Sequence, residues 1–163
     1  MAGNLTITTE RAEEDVAIPP FNEYGWLPEG VHDCTLEEAG ARFGGFQRSD
    51  RRPTLWARFV EFVSEAQACG LIEAVVVDGS FVTAEPAPQD IDLVLVVTAP
   101  QTFSVDLPPT HYNVLSHRRV RRRFGFDIVV ATTNHDTLAQ AVAFFAQVRQ
   151  KPGAKKGLVR IRL

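Results

Sequence analysis

The sequence predicts an α/β (α+β) fold, a mixed sheet flanked by helices, and three observations lead there. Two β-branched apolar runs, Ile72 to Val77 and Ile91 to Val97, read as short buried strands because they are continuous in Val, Ile and Leu and bounded by turn residues. Apolar residues at helical spacing flank them: Leu55, Phe59, Phe62, Val63 and Ala66 before, and Leu138, Val142, Phe145 and Val148 after. Finally, 163 residues with 45% hydrophobic and 23% charged content suit one ordinary domain with a sizeable core.

Taken in order, residues 1–20 are polar, carry Glu10, Glu13, Glu14 and Asp15 and close on Pro19-Pro20, so we expect a flexible N-terminal arm before a single domain over 21–163. Phe21 to His32 mixes Tyr24, Trp26 and Leu27 with Gly and Pro, which predicts an irregular segment whose aromatics cover the edge of the core. Thr35-Leu36-Glu37-Glu38 matches a capping box, and Gly44-Gly45 would end the short helix it opens. A longer helix is expected from Pro53 to Ala68, stopped by Gly70. It delivers the chain into strand 72–77, and a loop over 81–89 returns it to strand 91–97 as a neighbour in the sheet. His111 to Leu115 reads as a weak strand and Gly125 to Ala131 as a third core strand. A helix should begin near Asn134, with Phe144-Phe145 in the core, and Pro152-Gly153 breaks the pattern beyond it. Leu158 to Leu163 alternates apolar residues with Arg160 and Arg162, as a half-buried edge strand would.

No apolar stretch reaches the length of about 18 residues that a membrane span needs, and the N-terminus has no basic segment leading into an apolar one, so a cytoplasmic protein without a membrane is expected. Cys34 and Cys69 form no CxxC pair and have no metal-ligand spacing to His, which reads as two free thiols. The formal net charge of -3 gives no global footprint for nucleic acid.

Chemistry concentrates between the two strands. The first ends in Asp78-Gly79-Ser80, and the second opens on Asp90-Ile91-Asp92. Alternation along a strand puts Asp90 and Asp92 on one face, roughly 7 Å apart along the backbone. Two carboxylates at the mouth of an apolar strand repel each other and cost stability unless a cation lies between them, which makes a divalent-metal site the natural reading. The plainer alternative is that they cap a loop and pair with arginines, and that Asp78-Gly79 is an ordinary turn.

Gly79-Ser80, nine intervening residues and Asp90-Ile91-Asp92-Leu93 resemble the signature of the nucleotidyltransferase superfamily typified by DNA polymerase beta, with Asp127 in Phe126-Asp127-Ile128-Val129 at the position of its third carboxylate. The resemblance covers residues 54–131, and its spacer is at the short end of the superfamily's range. The whole chain also resembles an uncharacterised group of short bacterial proteins with this fold, through Leu27 to Asp33 and Lys156-Gly157, and its short length resembles that of bacterial minimal nucleotidyltransferases. The resemblance implies a nucleotidyltransferase-like sheet and metal-dependent transfer of a nucleotide from a nucleoside triphosphate, such as ATP, to a protein, an RNA end or a small molecule. It also implies a setting in a bacterial toxin-antitoxin or defence system; no acceptor-binding domain is recognisable in the sequence, which leaves the acceptor site open to a partner protein or an oligomer.

Residue chemistry agrees with that expectation. Three aspartates without His or Cys ligands suit hard Mg²⁺ or Mn²⁺, with Asp90 and Asp92 holding metal and Asp127 completing the site or drawing the acceptor's proton. Gly79 would let the backbone approach the triphosphate, and Ser80 would hydrogen-bond its oxygens, more strongly if a helix starts there. The cluster His117-Arg118-Arg119-Val120-Arg121-Arg122-Arg123 offers bidentate partners for phosphate, and we assign Arg118 and Arg122 to nucleotide binding. Its alternative is a solvated face. His111 and His117 are expected to be surface or capping residues. A non-catalytic module that binds nucleotide, RNA or a partner protein through the same fold is the competing function; retention of all three aspartates favours the enzyme.

Overall fold

The computed structural model describes residues 17–45, 49–98, 104–133 and 136–163. The arm expected over 1–20 lies mostly outside the described residues, as does Asn134, but Ile18 is buried in the core.

Five strands form one mixed sheet in the order β1-β5-β2-β3-β4, where β1 is Val31–Cys34, β2 Ile72–Asp78, β3 Asp92–Val97, β4 Asp127–Thr132 and β5 Leu158–Arg162. β1 and β5 are parallel, as are β3 and β4, while β2 is antiparallel to both β5 and β3. The fold is thus mixed α+β, as the sequence predicts. Helices α1 (Leu36–Phe43), α2 (Arg51–Cys69), α3 (Tyr112–Leu115) and α4 (His117–Phe124) lie between strands, and α5 (Asp136–Phe145) follows β4.

Strand alternation divides the side chains into two cores. Val75, Val77, Leu93, Leu95, Ile128, Val159 and Ile161 face Phe43, Leu55, Phe59, Phe62, Val120 and Phe124 on one side. Ala74, Val76, Val94, Val96, Ala131 and Leu158 face Leu138, Ala141, Val142 and Phe145 of α5 on the other. β2 and β3 are therefore buried on both faces, which is why their sequences are unbroken apolar runs rather than alternating ones.

The capping box is present as the sequence predicts: Glu38 N–H donates to Thr35 Oγ1 at 3.1 Å and Thr35 N–H to Glu38 Oε2 at 2.7 Å. Several other expectations need correction. Val31–Cys34 is a strand, not irregular; only four residues long and partly exposed, with His32 and Asp33 in it, it carries no apolar signal. Because it pairs with β5, that strand lies inside the sheet rather than at its edge. Residues 112–115 are helical, not a weak strand. The basic cluster forms α4, whose Val120 and Phe124 are buried one turn apart while the arginines hide that period in the sequence. Phe144 is 63% exposed and not core. α5 ends at Phe145, so Val148 is buried from the segment beyond it.

The loop between β2 and β3 is fixed by two arginines at the start of α2. Two cations in a helix's first turn oppose its dipole, so their placement needs another cause. Arg52 is 0% exposed and donates to four carbonyls: Phe43 at 3.1 Å, Phe81 at 2.7 Å, Thr83 at 2.8 Å and Glu85 at 2.6 and 3.1 Å. Arg51 donates to Pro88 O at 3.0 Å and to Gln89 O. Burial lowers the Arg52 pKa to about 10, which still leaves it charged at neutral pH. Arg52→Met would strip four carbonyls of this donor inside the fold, and we expect a loss of about 3 kcal/mol or more in urea unfolding. An unchanged midpoint would show that water replaces the guanidinium without cost.

Candidate metal centre

Register places the acidic residues. Asp78 opposes Asp92 across β2 and β3, and Asp92 sits beside Asp127 across β3 and β4. All three have the parity of Val76, Val94 and Ala131, so they project from the α5 side of the sheet at the end that the apolar half leaves uncovered. Asp90 lies just before β3, and its carboxylate joins the row: Asp90, Asp92 and Asp127 each bring an oxygen within 4.8 Å of the others. Three hard oxygen donors this close fit a divalent cation such as Mg²⁺ or Mn²⁺.

The row's charge is offset at both ends. Lys156 Nζ approaches Asp78 Oδ1 to 2.8 Å, an ion pair outside hydrogen-bond angles, and donates to Gly79 O at 3.3 Å. At the other end Arg121 Nη1 is 2.6 Å from Asp127 Oδ2 and 3.4 Å from Asp90 Oδ2, and His117 Nε2 is 3.1 Å from Asp127 Oδ1. Among the described residues none hydrogen-bonds or pairs with the Asp92 carboxylate. Its pKa is pushed up to about 6, chiefly by burial, then by the charges of Asp90, Asp78 and Asp127, with Lys156 pulling the other way.

Gly79 needs to be glycine for two reasons. Its φ of 84° and ψ of -167° belong to a region that side chains rarely adopt, and a Cβ there would stand 2.5 Å from Asp92 Oδ2. The turn thus brings bare backbone against the central carboxylate. Ser80 opens only a three-residue 3-10 turn, Ser80–Val82, so the helix start that would strengthen phosphate binding is absent at this turn.

The structure therefore brings together Asp90, Asp92, Asp127 and Gly79, with Ser80 next in the chain. Arg118 and Arg122 lie on α4, and among the described residues no hydrogen bond or ion pair joins them to the acidic row. Arg121 and His117, one helical turn apart on the same helix, reach it instead. Sequence reasoning placed Arg121 in the basic cluster without singling it out, and expected His117 to be a surface or capping residue; the helical period of α4 was the missing signal. Asp78 and Lys156 were missed as site residues. Asp78 looked like part of a turn, and nothing local to Lys156 signals a partner so distant in the chain.

A family match spans residues 19–162. The chain belongs to DUF6932, a family of unknown function. No curated protein and no solved structure matches this DUF6932 chain. Among the described residues no helix is long and apolar enough to cross a membrane.

Asp92 also sets a pH dependence. The unfolded chain releases this proton near pH 3.8 and the folded chain near 6, so folded stability from this group falls as pH rises across that window. A cation must displace the same proton. Mn²⁺ affinity is expected to fall by roughly tenfold per unit as pH drops below about 6, read by calorimetry. A flat profile between pH 5 and about 7 would remove Asp92 from the ligand set.

Proposed function

We propose that this protein is a metal-dependent nucleotidyltransferase, in which an acceptor hydroxyl attacks the α-phosphate of a nucleoside triphosphate and pyrophosphate leaves. The observation that carries the reading is the register of β3 and β4, which sets Asp92 directly beside Asp127 with Asp90 in reach, next to a turn that only glycine can make. Mg²⁺ or Mn²⁺ held by Asp90, Asp92 and Asp127 would supply neutralisation of the phosphate charge that develops in transfer. The sequence resemblance supports the same reading.

Each residue then has a task that its position allows. Gly79 brings bare backbone against the central carboxylate, and the Ser80 hydroxyl is available to donate to a phosphate oxygen. Asp127 can accept the proton of the acceptor hydroxyl, and His117 at 3.1 Å is placed to take that proton onward. Arg121 of α4 adds positive charge at the row itself. A protein side chain, an RNA end and a small molecule all present such a hydroxyl.

One observation favours the second reading, a non-catalytic nucleotide- or RNA-binding module. Asp127 already carries two basic partners, so the row is partly satisfied without metal. Two substitutions separate these readings. Asp90→Asn removes one repelling charge and one metal ligand, so we expect weaker Mn²⁺ binding in calorimetry with equal or slightly higher stability. Unchanged affinity would exclude Asp90 as a ligand. Asp127→Asn should leave triphosphate binding within a few fold while transfer of labelled nucleotide drops by roughly 10² or more. The transfer assay uses each labelled triphosphate with Mg²⁺ in cell lysate. If the unmodified protein labels nothing with any triphosphate, the binding module is the better reading.

A further inference from the structure

The two cations that flank the acidic row are not equivalent. Lys156 is held between Asp78 and the Gly79 carbonyl with its side chain only 12% exposed, so it belongs to the permanent structure of the turn. The Arg121 side chain is half exposed, at 50%, and its polar contacts among the described residues are Asp90 and Asp127 alone. Two neighbours on α4 are committed elsewhere: Arg119 donates to Pro109 O and Asn113 Oδ1, and Arg123 pairs with Glu61 and Glu65. The backbone of α4 does not need to move for Arg121 to leave, because Val120 and Phe124 anchor the helix in the core independently.

Arg121 therefore stands on two of the three carboxylates that would bind a metal. A divalent cation arriving alone must eject the guanidinium, and the ejected charge then has no anionic partner and stays close to the ion that replaced it. A divalent cation arriving on a polyphosphate is different. It brings phosphate oxygens to the same place, and these are bidentate partners for the planar guanidinium just as carboxylates are. Arg121 can then exchange one anion for another by rotating its side chain.

We propose that Arg121 makes the acidic centre selective for a divalent cation bound to a polyphosphate over the same cation alone. The inference rests on the metal-binding reading of Asp90, Asp92 and Asp127, and it deepens that reading by assigning the selectivity to one side chain. It does not require that transfer occurs.

The test measures binding to the full chain by calorimetry, titrating in either Mn²⁺ alone or Mn²⁺ already complexed with an excess of a nucleoside triphosphate whose α,β bridging oxygen is replaced by methylene. Arg121→Met should tighten Mn²⁺ alone by about tenfold and weaken the Mn²⁺-triphosphate complex by a similar factor. Arg119→Met, which removes the same charge from the same helix without touching the row, should leave Mn²⁺ alone unchanged. An Arg121→Met protein that binds Mn²⁺ no better than the unmodified one overturns the inference while leaving the metal centre standing. So does equal tightening by Arg119→Met, which would make net charge the cause, or equal tightening of both Mn²⁺ forms in Arg121→Met, which would remove the selectivity. If neither the unmodified protein nor Arg121→Met binds Mn²⁺ in either form, the metal centre itself is excluded.

Discussion

Hydrogen-bonded register between β2, β3 and β4 is the constraint from which the rest of this molecule follows. A ladder in which Asp78, Asp92 and Asp127 are direct partners aligns three carboxylates on one face, and side-chain rotation cannot undo that alignment. Like charges directly opposite one another destabilise a sheet. The apolar burial of both faces of β2 and β3 holds the register against that repulsion. Lys156 and Arg121 reduce the repulsion at the two ends, while burial first, and then the charges of its neighbours, raise the pKa of the middle carboxylate.

Rigidity of the surrounding loop has a separate origin. The segment between β2 and β3 contains two prolines and little regular structure, and such a loop would ordinarily leave its carbonyls to water. Arg51 and Arg52 gather them from one direction. Since the same loop joins Ser80 to Asp90, these arginines set the distance between the glycine turn and the acidic residues without touching either. Trp56 stacks on Phe81 at 6.3 Å from the same helix and adds an apolar contact to the polar ones. α2 thus acts on the site through packing and donors, not through its own charge.

Legibility in the sequence followed the strength of local patterning. β2, β3 and α2 carry long apolar runs or periods, and the capping box of α1 is a four-residue signature, so each was readable within a residue or two. Val31–Cys34 was not, because a short strand that borrows its place from a distant partner has no pattern of its own. The same limit hid half of the site. Asp90, Asp92 and Asp127 stood out as acids within or beside apolar strands, whereas Lys156 and Arg121 are ordinary surface-type residues whose roles arise only when the sheet and α4 bring them to the row.

The strand order also dictates a sequence of events in folding. β2 is flanked by β3, which follows it closely, and by β5, which lies far downstream; among the described residues β1 has no neighbour in the sheet except β5. A nascent chain can therefore zip β2 to β3 early, but it must leave the other margin of β2 unpaired until β5 arrives. That margin belongs to a Val-rich strand with the composition that recruits other chains. Aggregation during synthesis is thus a competing fate built into the topology, and the interval before β5 docks is when the chain is most exposed to it.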